Sequence, residues 1–150
     1  MPEDPIGELV SFNTEGLSSA DIRERIFGLQ SRLQDCPQME CPLKHHFSEG
    51  SYGREILLPK GTLAVGKIHK HGHITVVSQG DCSVLTESGV ERIKAPFTFV
   101  SKPGVKRVVY AHEDTIWTTV HVTEETDLEK IEDEVIAKTY EALGGAGCHL

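Results

Sequence analysis

Between Arg54 and Val122 the chain is a succession of short runs rich in Val, Ile, Thr and Phe. Turn-forming residues break it at fairly even intervals: Pro59 to Gly61, Gly72, Gly80-Asp81, Ser88-Gly89, Pro103-Gly104 and His112-Glu113-Asp114. Seven or eight short strands joined by tight turns predict an antiparallel sandwich or barrel. Helical patterns flank this region. Upstream, Ile22, Ile26, Leu29 and Leu33 recur at steps of four, three and four and form one apolar stripe, with Ser18 and Asp21 as a capping pair. Downstream, Thr126 and Glu129 have capping-box spacing, and Leu128, Ile131, Val135, Thr139 and Leu143 share a face that ends at Gly144-Gly145. The expected layout is an arm over 1–17, a helix and a proline-containing loop over 18–51, a β-barrel over 52–122, a helix over 123–143 and a flexible tail over 144–150.

At 150 residues the chain has the size of one domain and can bury a core without disulfides or metals. Fifteen Lys and Arg against 23 Asp and Glu leave a formal charge of -8, which repels nucleic-acid phosphates and anionic membranes. The first residues have neither a basic segment nor an apolar one, and no apolar run reaches the roughly 20 residues that span a bilayer. A soluble, cytoplasmic protein or part of a soluble assembly is expected. Four cysteines, Cys36, Cys41, Cys82 and Cys148, are too scattered for a disulfide framework, so reduced thiols are expected.

The stretch GKIHKHGHITVVSQG, residues 66 to 80, holds three of the chain's eight histidines at alternate positions, His69, His71 and His73. In an extended strand such positions point the same way, and an inward row in a small barrel converges with side chains from neighbouring strands. Neutral imidazole is a common transition-metal ligand. The same residues could instead form a solvated strand end that holds nothing. His121 shares a strand face with Trp117 and Thr119, opposite Ile116, Val120 and Val122, and alternation leaves open which face lines the barrel.

The segments GTLAVGKIHKHGHITVVSQG and APFTFVSKPGVKRVVYAHEDTIWTTVH resemble the two motifs of the cupins. The resemblance covers residues 52 to 122. It implies a mainly β fold: one double-stranded β-helix, or jelly-roll barrel, here with an N-terminal and a C-terminal helix. Aligned on Gly61 and Gly80, the family's first histidine falls on Lys67, its second on His69 and its glutamate on His73. Aligned on Gly104, the final histidine falls on Arg107. One of the four usual ligands is retained, so the resemblance implies either a shifted set, His69, His71 and His73 with His121, or no metal. The sequence is also similar to small cupin-type proteins of tailed bacteriophages, a group without an assigned reaction. That likeness implies the host cytoplasm or a virion as location.

Arg107 shares parity with Val109 and Ala111; facing inward it requires an anion, and otherwise it pairs with Glu87, Glu91 or Asp114 at the rim. Tyr110 is a candidate proton donor or acceptor, and Trp117 and Lys67 are further ligand-contacting candidates. Cys36, Cys41, His45 and His46 allow a zinc knuckle, although their spacing is unlike that of a standard finger. Tyr52 and Arg54 alternate at the start of the first strand, placed to cap a ligand or anchor the arm. Cys82 reads as a buried apolar group. No Ser-His-Asp order, P-loop or dinucleotide motif appears.

Two functions follow as expectations. One is a protein that holds a divalent transition metal (Fe, Mn, Ni or Zn) and acts on or binds a small polar or acidic molecule, with the catalytic residues and the reaction unassigned. The other is a non-catalytic module, a ligand sensor or a phage particle or infection-complex component. A homodimer or higher homo-oligomer is expected in either case.

Overall fold

The central β-formers pair into two antiparallel sheets. The computed structural model describes residues 16–137. A helix, α1 (Ser19–Gln34), precedes the strands β1 (Leu43–Ser48), β2 (Ser51–Leu58), β3 (Leu63–Val65) and β4 (Ile68–His69). Next come β5 (His73–Gln79), β6 (Asp81–Thr86), β7 (Gly89–Lys94), β8 (Phe97–Ser101), β9 (Val108–Ala111) and β10 (Thr115–Val122). A short helix α2 (Leu128–Val135) and a final strand β11 (Ile136–Ala137) end the described chain. One sheet has the order β1-β2-β10-β5-β8 and the other β3-β9-β6-β7, while β4 pairs with β11. The expected mainly β, jelly-roll architecture with a helix on each side of it is present.

Alternation places one face of each sheet in a shared core. Leu58, Val77 and Trp117 of the first sheet meet Cys82, Val84, Ile93, Val109 and Ala111 of the second. Each Val or Leu so buried contributes roughly 1.5–3 kcal/mol relative to exposure. The outer face of the four-stranded sheet is covered by α1, whose Ile22, Ile26 and Leu29 pack on Val65, Leu85 and Val108. Both halves of the capping box form there: Ser18 Oγ accepts from the Asp21 N–H, and the Asp21 carboxylate accepts from the Ser18 N–H. The change of sheet between β5 and β6 takes a single residue, Gly80, at φ +103°, where a Cβ would lie 2.6 Å from the Asp114 carbonyl oxygen. Only glycine satisfies both constraints.

Three expectations change. The strands begin at Leu43, because β1 forms a hairpin with β2 inside the segment read as loop. The second helix is capped by Asp127, not Thr126: its carboxylate accepts from the N–H groups of Glu129 and Lys130. That helix also stops at Val135, where the backbone turns extended so that Ile136 and Ala137 pair with His69 and Ile68. Pairing with a strand edge outweighs a periodicity that continues in the sequence. Thr139, Leu143, Cys148, the tail over 144–150 and residues 1–15 of the arm lie outside the described residues. Among the described residues no helix is long and apolar enough to cross a membrane.

Candidate metal centre

His73 opens β5, whose burial alternates so that His73, Thr75 and Val77 face inward. His121 lies near the end of β10, where Thr115, Trp117, Thr119 and His121 form the buried row. The Trp-His face of β10 therefore lines the barrel, and the Val face points out. His69 ends β4, anchored by the pairing with Ile136 and by the Gly104 N–H, which donates to its carbonyl at 2.9 Å. The three imidazoles meet: ring centroids are 4.2 Å apart for His69–His73, 4.8 Å for His73–His121 and 5.2 Å for His69–His121. One nitrogen from each lies within 4.8 Å of the others.

His71 is not part of this cluster. The chain bends at residues 70 and 71 between β4 and β5, so residues 69 to 73 are not one strand, and His71 is exposed at the bend. The bend brings His69 and His73 together in place of simple alternation.

All three clustered imidazoles are held neutral. Burial, then the neighbouring His73, His121, Arg107 and Arg54, push His69 down to about 3. Burial, His73 and Arg54 push His121 down to about 4. Burial lowers His73 too, partly countered by its hydrogen bond with the His71 carbonyl. Neutral imidazoles are the form that ligates metals. His69 Nδ1 is buried without a hydrogen-bond partner, and a neutral imidazole always has one ring nitrogen whose lone pair a cation can take. The donor set and this unpartnered nitrogen fit a transition-metal ion.

A cavity of about 340 Å³ opens onto His69 and His121. Its barrel wall includes Ile56, Leu58, Val109 and Trp117, and α2 closes it with Leu128, Ile131 and Val135. Tyr52, 3% exposed, packs between α2 and His121 and hydrogen-bonds its hydroxyl to His45 Nδ1 at 2.6 Å. Thr119 Oγ1 lies 3.1 Å from His121 Nε2 and helps hold that ring. Lys67 sits at the rim, ion-paired with Glu132 of α2.

Of the two placements open to Arg107 the inward one is found, and among the described residues it forms no ion pair with Glu87, Glu91 or Asp114. Glu87 is engaged by Arg23 and Asp114 by the Lys60 N–H. The Arg107 guanidinium instead lies 5.3 Å from the centroid of Phe99, which packs edge-on against Trp117. Tyr110 is a correction: its parity puts it on the outer face of its sheet, beside α1 and edge-on to His112, away from the cavity. The zinc knuckle does not assemble. His45 and His46 are successive strand residues on opposite faces, bonded to Tyr52 and Glu55, and Cys36 and Cys41 hydrogen-bond to backbone carbonyls. Cys82 is in the core, its thiol pushed up to about 11 by burial. The contributions of Thr119 and α2 were missed; strand parity with His121 marked Thr119, whereas nothing local marked α2 as a cavity wall.

No protein-family model matches the chain, and no curated protein matches it by sequence. Solved structures do. Ectoine synthase from P. lautus is 13% identical, with a TM-score of 0.54 over 68% of this chain and 78% of that one. Salicylate 1,2-dioxygenase from Pseudoaminobacter salicylatoxidans is 12% identical, with a TM-score of 0.52 over 77% of this chain and 34% of that one. A cupin domain from Bordetella pertussis is 13% identical, with a TM-score of 0.47 over 59% of this chain and 98% of that one. At such identities the likeness is one of fold. The chain shares the jelly-roll fold of the ectoine synthase and dioxygenase structures, and its cluster of His69, His73 and His121 is suited to a transition metal.

Proposed function

We propose that the protein is a metal-binding cupin-type protein that acts on or binds a small polar or acidic molecule. The observation that carries this is the convergence of three neutral imidazoles, from β4, β5 and β10, two of which, His69 and His121, line a cavity. His69, His73 and His121 would hold a divalent ion, Fe, Mn, Ni or Zn, which would supply Lewis-acid character or activate a bound small molecule. The chain's own groups do the rest. Trp117 and the aliphatic wall exclude water and hold the ligand body, Lys67 with Glu132 borders the entrance, and the charge of Arg107 favours an anion beside the cluster.

Elemental analysis of untagged protein tests the reading. Near-stoichiometric metal in wild type, lost in His69→Ala and in His121→Ala but retained in His71→Ala, is the expected result. Wild type that holds no metal after equilibration with Fe, Mn, Ni and Zn salts overturns it. Lys67 and Arg107, at positions where the cupin motif carries histidines, favour the second reading, a non-catalytic ligand-binding module, and that outcome would leave it standing. The similarity to phage-encoded cupin-type proteins supports a place in the host cytoplasm or the virion.

The protein also self-associates on this reading, through the outer face of the five-stranded sheet. Ile74, Val76, Val100, Ile116, Val120 and Val122 stand there, with Val122 88% and Val100 72% exposed. The outward residues of β5, β8 and β10 include no charged side chain, so two copies can meet over these three strands; on the same face Lys44 of β1 and Glu55 of β2 are charged and pair with each other.

A further inference from the structure

Arg54 projects from β2 into the cavity between His45 of β1 and Thr119 of β10, its cross-strand neighbours. Its charge acts on two of the three clustered histidines, His69 and His121. Among the described residues no carboxylate bonds or pairs with it. Among the described residues lining the cavity Glu132 alone is acidic, and it is taken by Lys67. The formal charges of the cavity wall therefore leave one guanidinium unbalanced, half-buried beside an apolar surface of Ile56, Leu58, Val109 and Trp117. A cation withdrawn from water without a partner is costly, and a planar guanidinium is best satisfied by a planar carboxylate held through two parallel hydrogen bonds.

We infer that Arg54 is the anchor for the carboxylate of a small monocarboxylic acid whose apolar body lies along the Ile56–Trp117 wall, with the carboxylate end toward His69 and His121. This rests on the reading of the cavity as a small-molecule site and narrows its ligand class. Arg107, already placed over Phe99 and absent from the cavity wall, contributes field and not contact. In the metal-free protein a phosphate monoester would bring a second negative charge into a wall whose described residues offer no further unpaired cation, and is therefore disfavoured there.

The test is calorimetric titration with hexanoate, 1-hexanol and hexyl phosphate into wild type, Arg54→Gln and Arg54→Lys, each in metal-free and metal-loaded form. Wild type is expected to bind hexanoate at least about tenfold more tightly than 1-hexanol, the ratio that one charge-assisted hydrogen-bonded contact supplies. Arg54→Gln should abolish that preference while still binding 1-hexanol, which also shows that the cavity is intact; Arg54→Lys should keep part of it. Equal affinity of wild type for hexanoate and 1-hexanol, undiminished hexanoate binding in Arg54→Gln, or tighter binding of hexyl phosphate than hexanoate by the metal-free protein would overturn the assignment. The metal reading fails separately. A metal-free wild type that still prefers hexanoate through Arg54 supports the anchor even if no metal is ever taken up, and unchanged metal content in Arg54→Gln leaves the metal centre standing if the anchor is wrong.

Discussion

Lys106 is 2% exposed, and among the described residues it meets no carboxylate. Its Nζ donates to the Gly66 carbonyl at 3.1 Å and lies 5.3 Å from the centroid of the Phe27 ring. Burial pushes its pKa down to about 8 from 10.5. Below pH 8 the folded state keeps a desolvated charge that the unfolded chain hydrates freely. Between about 8 and 10.5 the folded state releases that proton while the unfolded chain keeps it, so the lysine's penalty fades as pH rises. Lys106→Met is expected to stabilise the protein at pH 7 by roughly 1–3 kcal/mol, the shift less the lost hydrogen bond. That gain over wild type should shrink by pH 10, as urea denaturation at the two pH values would register. A destabilised variant at pH 7 would mean that the bond to Gly66 and the Phe27 contact outweigh desolvation. Nothing local in the sequence marks Lys106 as buried; α1 carries Phe27 onto it.

Among the elements, α1 was legible because its stripe of Ile22, Ile26 and Leu29 meets one partner surface, and a periodic face is what a single contact requires. The edge strand β1 was not. All six of its residues are exposed, so burial imposes no alternation, and its strand character comes from pairing with β2. The cap of α2 separates two adjacent residues whose sequence signals are similar. Asp127 accepts from the N–H groups of Glu129 and Lys130, whereas no such bond is made by Thr126. Asp127→Ala is expected to cost about 1 kcal/mol, and Thr126→Ala much less, in paired thermal or denaturant unfolding. Equal losses would return the cap to Thr126. Because α2 supplies Ile131 and Val135 to the cavity, its short length ties the cavity wall to a single cap and to the β4–β11 pairing that follows.

For the molecule as a whole, two sheets create four faces. Two form the core, α1 covers a third, and the fourth, with Ile74, Val100 and Val122, is bare among the described residues. Sedimentation velocity at micromolar concentration is expected to show a dimer or larger species for wild type. Combined Ile74→Glu and Val122→Glu substitution should give a folded monomer, since it sets like charges opposite each other across a self-paired face. A monomeric wild type, or an oligomer that survives the double substitution, would remove this face as the contact.

The sequence by itself determined the kind of fold and the pool of candidate ligands. Short β-forming runs between tight turns admit little besides a closed or sandwiched antiparallel sheet, and three histidines in five residues single out one place for chemistry. Tertiary structure decided which candidates meet. Alternation divides a strand into two faces without naming the inner one, and only closure of the sheet turned His121 inward. A two-residue bend, invisible to periodicity, joined His69 to His73 and expelled His71. Arg54 gained its meaning last. An unpaired cation is a property of the surroundings, set by which carboxylates the fold brings within reach.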